Sequence, residues 1–147
     1  MDRGLAVVLT AIGGGLVALQ APINSMLGKQ VGTFQAAFVS FAIGTLALAM
    51  IAALAKGGMG QIAEARHLSW YYLTGGLLGA AYVTTVLVTV RTLGAGGAVA
   101  ATIAGQLTMS VVIDHYGWLG VQRDPVDALK LIGVALLSVG TYLVVRD

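Results

Sequence analysis

Cysteine is absent from this chain of 147 residues, and charge is scarce: eight Lys and Arg, six Asp and Glu, and two His. Without thiols there are no disulfides, no thiolate nucleophile and no Cys-ligated metal. A soluble domain carries about 25% charged residues. At 10%, this chain cannot cover a water-facing surface. There is no low-complexity segment and no basic run long enough to track a phosphate backbone. The pI of about 9.2 therefore reads as flanking charge, and no nucleic-acid partner is expected. Proline occurs only twice.

What fills the chain instead is apolar: 58% hydrophobic residues and a mean hydropathy of +0.90. Five stretches, 5–27, 33–55, 70–90, 95–113 and 125–145, are each long enough to cross a bilayer. A hydrocarbon core of roughly 30 Å needs about 20 helical residues at about 1.5 Å each. The expectation is an all-α integral membrane protein with five transmembrane helices in one domain, 1–147. Met1-Asp2-Arg3 before an apolar run imitates a signal peptide, but four further spans favour a retained first helix.

The connections are short. Residues 28–32 join spans one and two, with Thr33 as an N-cap candidate. Lys56 to Ser69 allows at most one turn of interfacial helix. Residues 91–94 join spans three and four, and Asp114 to Asp124 leads to span five. Asp124-Pro125 reads as a helix start, an acidic cap followed by proline in the first turn. Trp70, Tyr71, Tyr72, Tyr116 and Trp118 flank spans at headgroup level.

No internal repeat is visible, although many transporters contain two inverted halves. A second half would have to come from a second chain. Alternate sides of the membrane receive Arg3, Lys56, Arg66, Arg123 and Lys130, against Lys29, Arg91 and Arg146. This is five against three, a weak bias for the positive-inside rule. Insertion in both orientations is expected. The rival is one orientation with the N-terminus inside.

Close packing in lipid relies on small residues. Ala36, Ser40 and Gly44 line one face of span two. Gly75 and Gly79 line span three, Gly97, Ala101 and Gly105 span four, and Gly133 and Gly140 span five.

Polar groups inside the spans are the functional pointers, because an uncommitted one in hydrocarbon costs several kcal/mol. Pro22 removes the amide hydrogen that Ala18 would receive, so a helix break is expected there. Gln20 and Asn24, four apart, share the face beside it. In span four, Ala98, Thr102, Gln106, Ser110 and Asp114 recur every four residues as one polar stripe. Ser40 and Tyr82 add a hydroxyl each. These give the candidate solute contacts: Gln20, Asn24, Ser40, Tyr82, Gln106 and Ser110. The competing account for each is interhelical hydrogen bonding. Other Ser and Thr hydroxyls are expected to bond to carbonyls of their own helix. Asp114-His115 is a candidate coupling pair for a proton or ion, against a purely interfacial role. No metal site and no cofactor are expected. No acidic or basic residue sits in the middle of a span, so neutral polar or zwitterionic solutes fit best.

Several of these runs resemble the YdcZ family of small bacterial membrane proteins. They are Gln20-Ala21-Pro22-Ile23-Asn24 with Leu27-Gly28; Ser40-Phe41 with Gly44-Thr45; Gly75-Gly76-Leu77-Leu78-Gly79-Ala80 with Tyr82-Val83; Leu93-Gly94-Ala95; and Ala104-Gly105-Gln106-Leu107, Ser110 and Asp114-His115 with Gly117 and Gly120. The resemblance implies membership of the drug/metabolite transporter superfamily. It implies a five-helix subunit equal to half of a ten-helix transporter, and assembly from two oppositely oriented copies or paralogues. The small multidrug exporters of that superfamily carry a glutamate in the first helix. Gln20 and Asn24 stand in this chain's first helix, so proton-for-cation exchange does not carry over.

The sequence reading is thus a non-enzymatic, inner-membrane transporter subunit. It would work with the lipid bilayer, an inverted second copy and a small-molecule solute, by alternating access. Gly44, Gly75, Gly79, Gly97 and Gly105 are the expected packing positions. A non-transporting scaffold or accessory subunit is the alternative. An intramembrane enzyme using His115 is disfavoured, because His115 and Ser110 do not share a helix face.

Overall fold

A computed structural model describes residues 2–55 and 58–146, with the side chain of residue 61 outside the description. Every regular element among them is helical. They are α1 (Arg3–Val31), α2 (Thr33–Leu54), 3-10 segments at Gly58–His67 and Trp70–Leu73, α3 (Gly75–Tyr116), a 3-10 turn at Trp118–Gly120, and α4 (Ala128–Val145). By length and hydropathy, four helical stretches are able to cross a membrane: Arg3–Val31, Thr33–Leu54, Trp70–Tyr116 and Ala128–Val145.

The third of these takes up two expected spans. Its 42-residue helix α3 would be about 63 Å long if straight, twice the hydrocarbon thickness. It is interrupted at Gly94, where φ 69° and ψ 172° are non-helical. That backbone region is open essentially to glycine alone. The expected connection 91–94 therefore shrinks to a single residue.

The chain divides into two compact units, residues 1–91 and 92–147. In the first, α1 and α2 pack together, and a small core forms from Ala36, Ala37, Val83 and Leu87. Leu27, Phe41 and Tyr82 pack against it. Alanine at 36 and 37 lets the helices approach closely, and Ala36 is completely buried. In the second, Gly97 seats Val145 of α4, whose Cγ2 would lie 3.4 Å from a Cβ there. Thr141 Oγ1 donates to the carbonyl of Ala100 over 3.1 Å.

Helix boundaries depart from the sequence reading at four places. The α1–α2 connection is not residues 28–32 but Gly32 alone, because α1 runs through Val31. Gly32, not Thr33, is the N-cap of α2. Its φ of 99° turns the chain sharply, while Thr33 is already helical and its hydroxyl is engaged by Arg91. The Lys56–Ser69 loop holds a ten-residue 3-10 segment rather than one turn, and its first residue, Lys56, lies outside the described residues. Helix α4 starts at Ala128 behind Asp127, not at Asp124-Pro125. Asp127 Oδ1 accepts from the Lys130 N–H over 2.8 Å, whereas the Asp124 carboxylate is spent in a salt bridge to Lys130 Nζ.

Candidate solute-binding site

Residues Val17, Gln20, Ala21 and Asn24 of α1 and Tyr82, Val83, Val86 and Leu87 of α3 line a recess in the first unit. Both sets follow helical spacing, so two helix faces oppose each other along it. Its enclosed space is about 10 Å³, room for about one water molecule. Small-molecule pockets run from roughly 300 to 1,000 Å³, so the recess is smaller than a complete site.

The polar groups around it divide into two kinds. Asn24 is buried, and its Nδ2 donates to Ser40 Oγ over 3.1 Å. That pair satisfies itself between α1 and α2. Gln20 is exposed and Tyr82 half-buried; among the described residues neither side chain has a hydrogen-bond partner. The amide and the phenol thus stand on the recess with unused bonding capacity. Pro22 lies one position past Ala21, yet α1 keeps its helical assignment through it. What proline removes is the hydrogen bond to the Ala18 carbonyl, not the helix.

The stripe of span four lies in the second unit. Ala98 is buried, Thr102 and Asp114 are half-buried, and Gln106 and Ser110 are exposed. Hydroxyls at Thr10, Thr85, Thr89, Thr108 and Ser138 bond to carbonyls one turn back, which is what polar side chains do in a helix lacking other partners. His115 is tied to the following loop through its ring, and Asp114 through its backbone carbonyl. The Val126 N–H donates to His115 Nδ1 over 3.1 Å, and the Asp114 carbonyl accepts from the Asp124 N–H over 2.8 Å. Among the described residues no group of three or more His, Asp or Glu is placed to hold a metal.

A family model described as "Putative inner membrane exporter, YdcZ" matches residues 5–143, nearly the entire chain. The chain belongs to the YdcZ family. No curated protein and no solved structure matches it. This YdcZ protein is accordingly a transport protein of the inner membrane, with apolar helices to span it.

Of the candidate solute residues in this YdcZ chain, Gln20, Asn24 and Tyr82 meet at the recess, and Ser40 holds Asn24. Gln106 and Ser110 belong to the other unit. The packing glycines also divide. A Cβ at Gly79 would lie 3.5 Å from the Phe41 ring and one at Gly97 3.4 Å from Val145, while a side chain added at Gly44, Gly75 or Gly105 would meet nothing within 4 Å. Sequence reasoning missed the clasp at the end of the recess. Arg91 donates from Nη2 to Thr33 Oγ1 over 3.3 Å, and a Cβ at Gly28 would lie 2.9 Å from the same Nη2. An arginine four residues beyond Leu87, on the same face, and a glycine four beyond Asn24 were the available signals.

Proposed function

We propose that this YdcZ protein is one subunit of a small transporter that crosses the membrane five times, pairs with an inverted second copy and moves a small polar solute by alternating access. The observation that carries the reading is the pair of unpartnered polar groups, Gln20 and Tyr82, on a recess between two apolar helices. Each such group left facing hydrocarbon costs several kcal/mol. A solute, water in a shared pathway or a second copy removes that cost. A recess with room for about one water is not a solute site by itself, and in this reading a second copy would complete it. Five crossings are supported by the break at Gly94 in a helical run twice the length of one span.

In this reading Gln20 and Tyr82 from each copy contact the solute, with Asn24 held beside them by Ser40; Gln106 and Ser110 are candidate contacts of the second unit. The pocket is uncharged, so the cargo is neutral or zwitterionic. The weak five-to-three charge bias supports insertion both ways. Gly44, Gly75 and Gly105 are left free for helices of the partner.

The experiment is a thermal-shift screen of the purified protein against metabolites and cations, repeated on Gln20→Ala, Tyr82→Phe and Gln106→Ala. A hit lost in the variants at unchanged intrinsic stability supports the site; wild-type shifts in all three refute it. Reporters fused after residue 146 and after residue 92 test the rest. Activity of the C-terminal fusion from both sides supports dual insertion, and activity from one side only removes it. A reporter at residue 92 on the opposite side from residue 146 contradicts two crossings between the two positions.

A further inference from the structure

Four hydrogen bonds fasten the segment after α3 back onto its last turn. The Gly117 and Asp124 N–H groups donate to the Asp114 carbonyl at 3.2 and 2.8 Å, Arg123 Nε donates to the His115 carbonyl at 3.1 Å, and the Val126 N–H donates to His115 Nδ1 at 3.1 Å. Residues 121–127 have no regular structure of their own. The last of these bonds lies one residue before Asp127, the N-cap of α4. His115 therefore anchors the point from which α4 departs. Of the four bonds, only this one has an acceptor that can itself take up a proton.

An imidazole nitrogen that accepts a hydrogen bond is unprotonated, and the proton of the neutral ring then sits on Nε2. Adding a proton at Nδ1 turns that acceptor into a donor, and two N–H groups would face each other. We propose that His115 is a proton-operated clasp: neutral, it holds Val126 and fixes the start of α4; protonated, it releases segment 117–127 from the end of α3.

The charged and titratable neighbours come from each element around it. On α3, Asp114 precedes it, and the ring of Tyr116 meets the imidazole edge-on with centroids 4.7 Å apart. From the loop come Arg123, whose guanidinium reaches the His115 carbonyl, and Asp124. From α4 and its cap come Lys130, paired with Asp124, and Asp127, whose carboxylate caps the helix. Release is driven by the loss of the hydrogen bond from Val126 to His115. The proposal stands on the loop alone and does not depend on the solute site.

The test is hydrogen–deuterium exchange on the full chain in lipid nanodiscs between pH 5 and 8, where histidines change charge, with rates corrected for the intrinsic effect of pH. Protection of the peptide containing Val126 should fall at least tenfold at the acid end. His115→Asn places an acceptor oxygen where Nδ1 stood and does not titrate in this range, so its protection should be high and flat. His115→Ala should be unprotected throughout. Flat protection in the wild type, or an equal acid loss in His115→Asn, overturns the proposal. Nitrogen NMR of labelled histidine gives an answer needing no variant at position 115, because the chain has only His67 and His115 and a His67→Gln sample isolates one signal. Neutral His115 protonated on Nε2 is the expected tautomer; a proton on Nδ1 contradicts the clasp.

Discussion

Asn24 Nδ2 donates to Ser40 Oγ over 3.1 Å between α1 and α2, with Asn24 buried and Ser40 half-buried. This bond and the free amide of Gln20, one turn away, separate holding the bundle from binding a solute. Side-chain hydrogen bonds between membrane helices average about 0.6 kcal/mol and reach about 1.7. Ser40→Ala and Asn24→Ala should each lower stability in detergent by that order, and a double-mutant cycle should return a coupling of about 0.6 kcal/mol. Gln20→Ala should leave unfolding unchanged. Additive effects at 24 and 40 would show that the bond contributes nothing.

At Gly94 the chain adopts a backbone conformation that side chains do not tolerate. Gly94→Ala should cost about 1–3 kcal/mol, or remove the interruption and straighten α3. Either outcome is visible as a shift in thermal unfolding or as a changed side for a C-terminal reporter. An unchanged midpoint with unchanged topology would mean that the interruption is not part of the native chain.

The cap of α4 is a single aspartate, with no other acidic residue in the first turn. Asp127→Ala should cost about 1 kcal/mol and Asp127→Asn much less, as for other N-caps. Asp124→Ala should cost less than Asp127→Ala, because Asp124 makes only a partly exposed ion pair with Lys130. The reverse order would place the helix start at the Asp-Pro pair after all.

The contact of Gly28 with the Arg91 tip is forgiving, but the wall behind it is not. A Cβ at residue 28 would sit 2.9 Å from Arg91 Nη2, 3.4 Å from Leu87 Cδ2 and 3.7 Å from Ala36 Cβ. Arginine can swing away, so Gly28→Ala should cost little beyond the bond to Thr33. Gly28→Leu must displace Leu87 and should lose about 1–3 kcal/mol, the usual penalty for overpacking. Equal stability of the two variants would contradict the close approach of α1 and α3 at this point.

The helices were legible because hydropathy over twenty residues is a strong signal, and lipid leaves the backbone few alternatives. Their ends were less so. Asp-Pro and Gly-Thr are both respectable helix starts by local chemistry. The structure prefers Asp127 because Asp124 is claimed by Lys130, and Gly32 because Thr33 is claimed by Arg91. Those claims involve residues six and 58 positions away, beyond any local pattern. For the site, four-residue spacing placed Gln20 and Asn24 on one face. It was silent on which of them Ser40 would satisfy. His115 stood out as a titratable side chain at a span end, but nothing near it in the chain signals that a backbone amide eleven residues on occupies its Nδ1.

Because the chain contains no cysteine, single cysteines can be introduced with no background labelling. The decisive measurement is the reaction of a hydrophilic, membrane-impermeant maleimide with such cysteines along α1. Positions 17, 20 and 21 line the recess, while Leu16, Leu19 and Ile23 lie outside it with large exposed side chains. A water-filled solute pathway predicts labelling at the first three and none at the second three, with protection by any solute found in the thermal-shift screen. Uniform silence along α1, or labelling that ignores this division, would contradict a transport path at Gln20 and Tyr82.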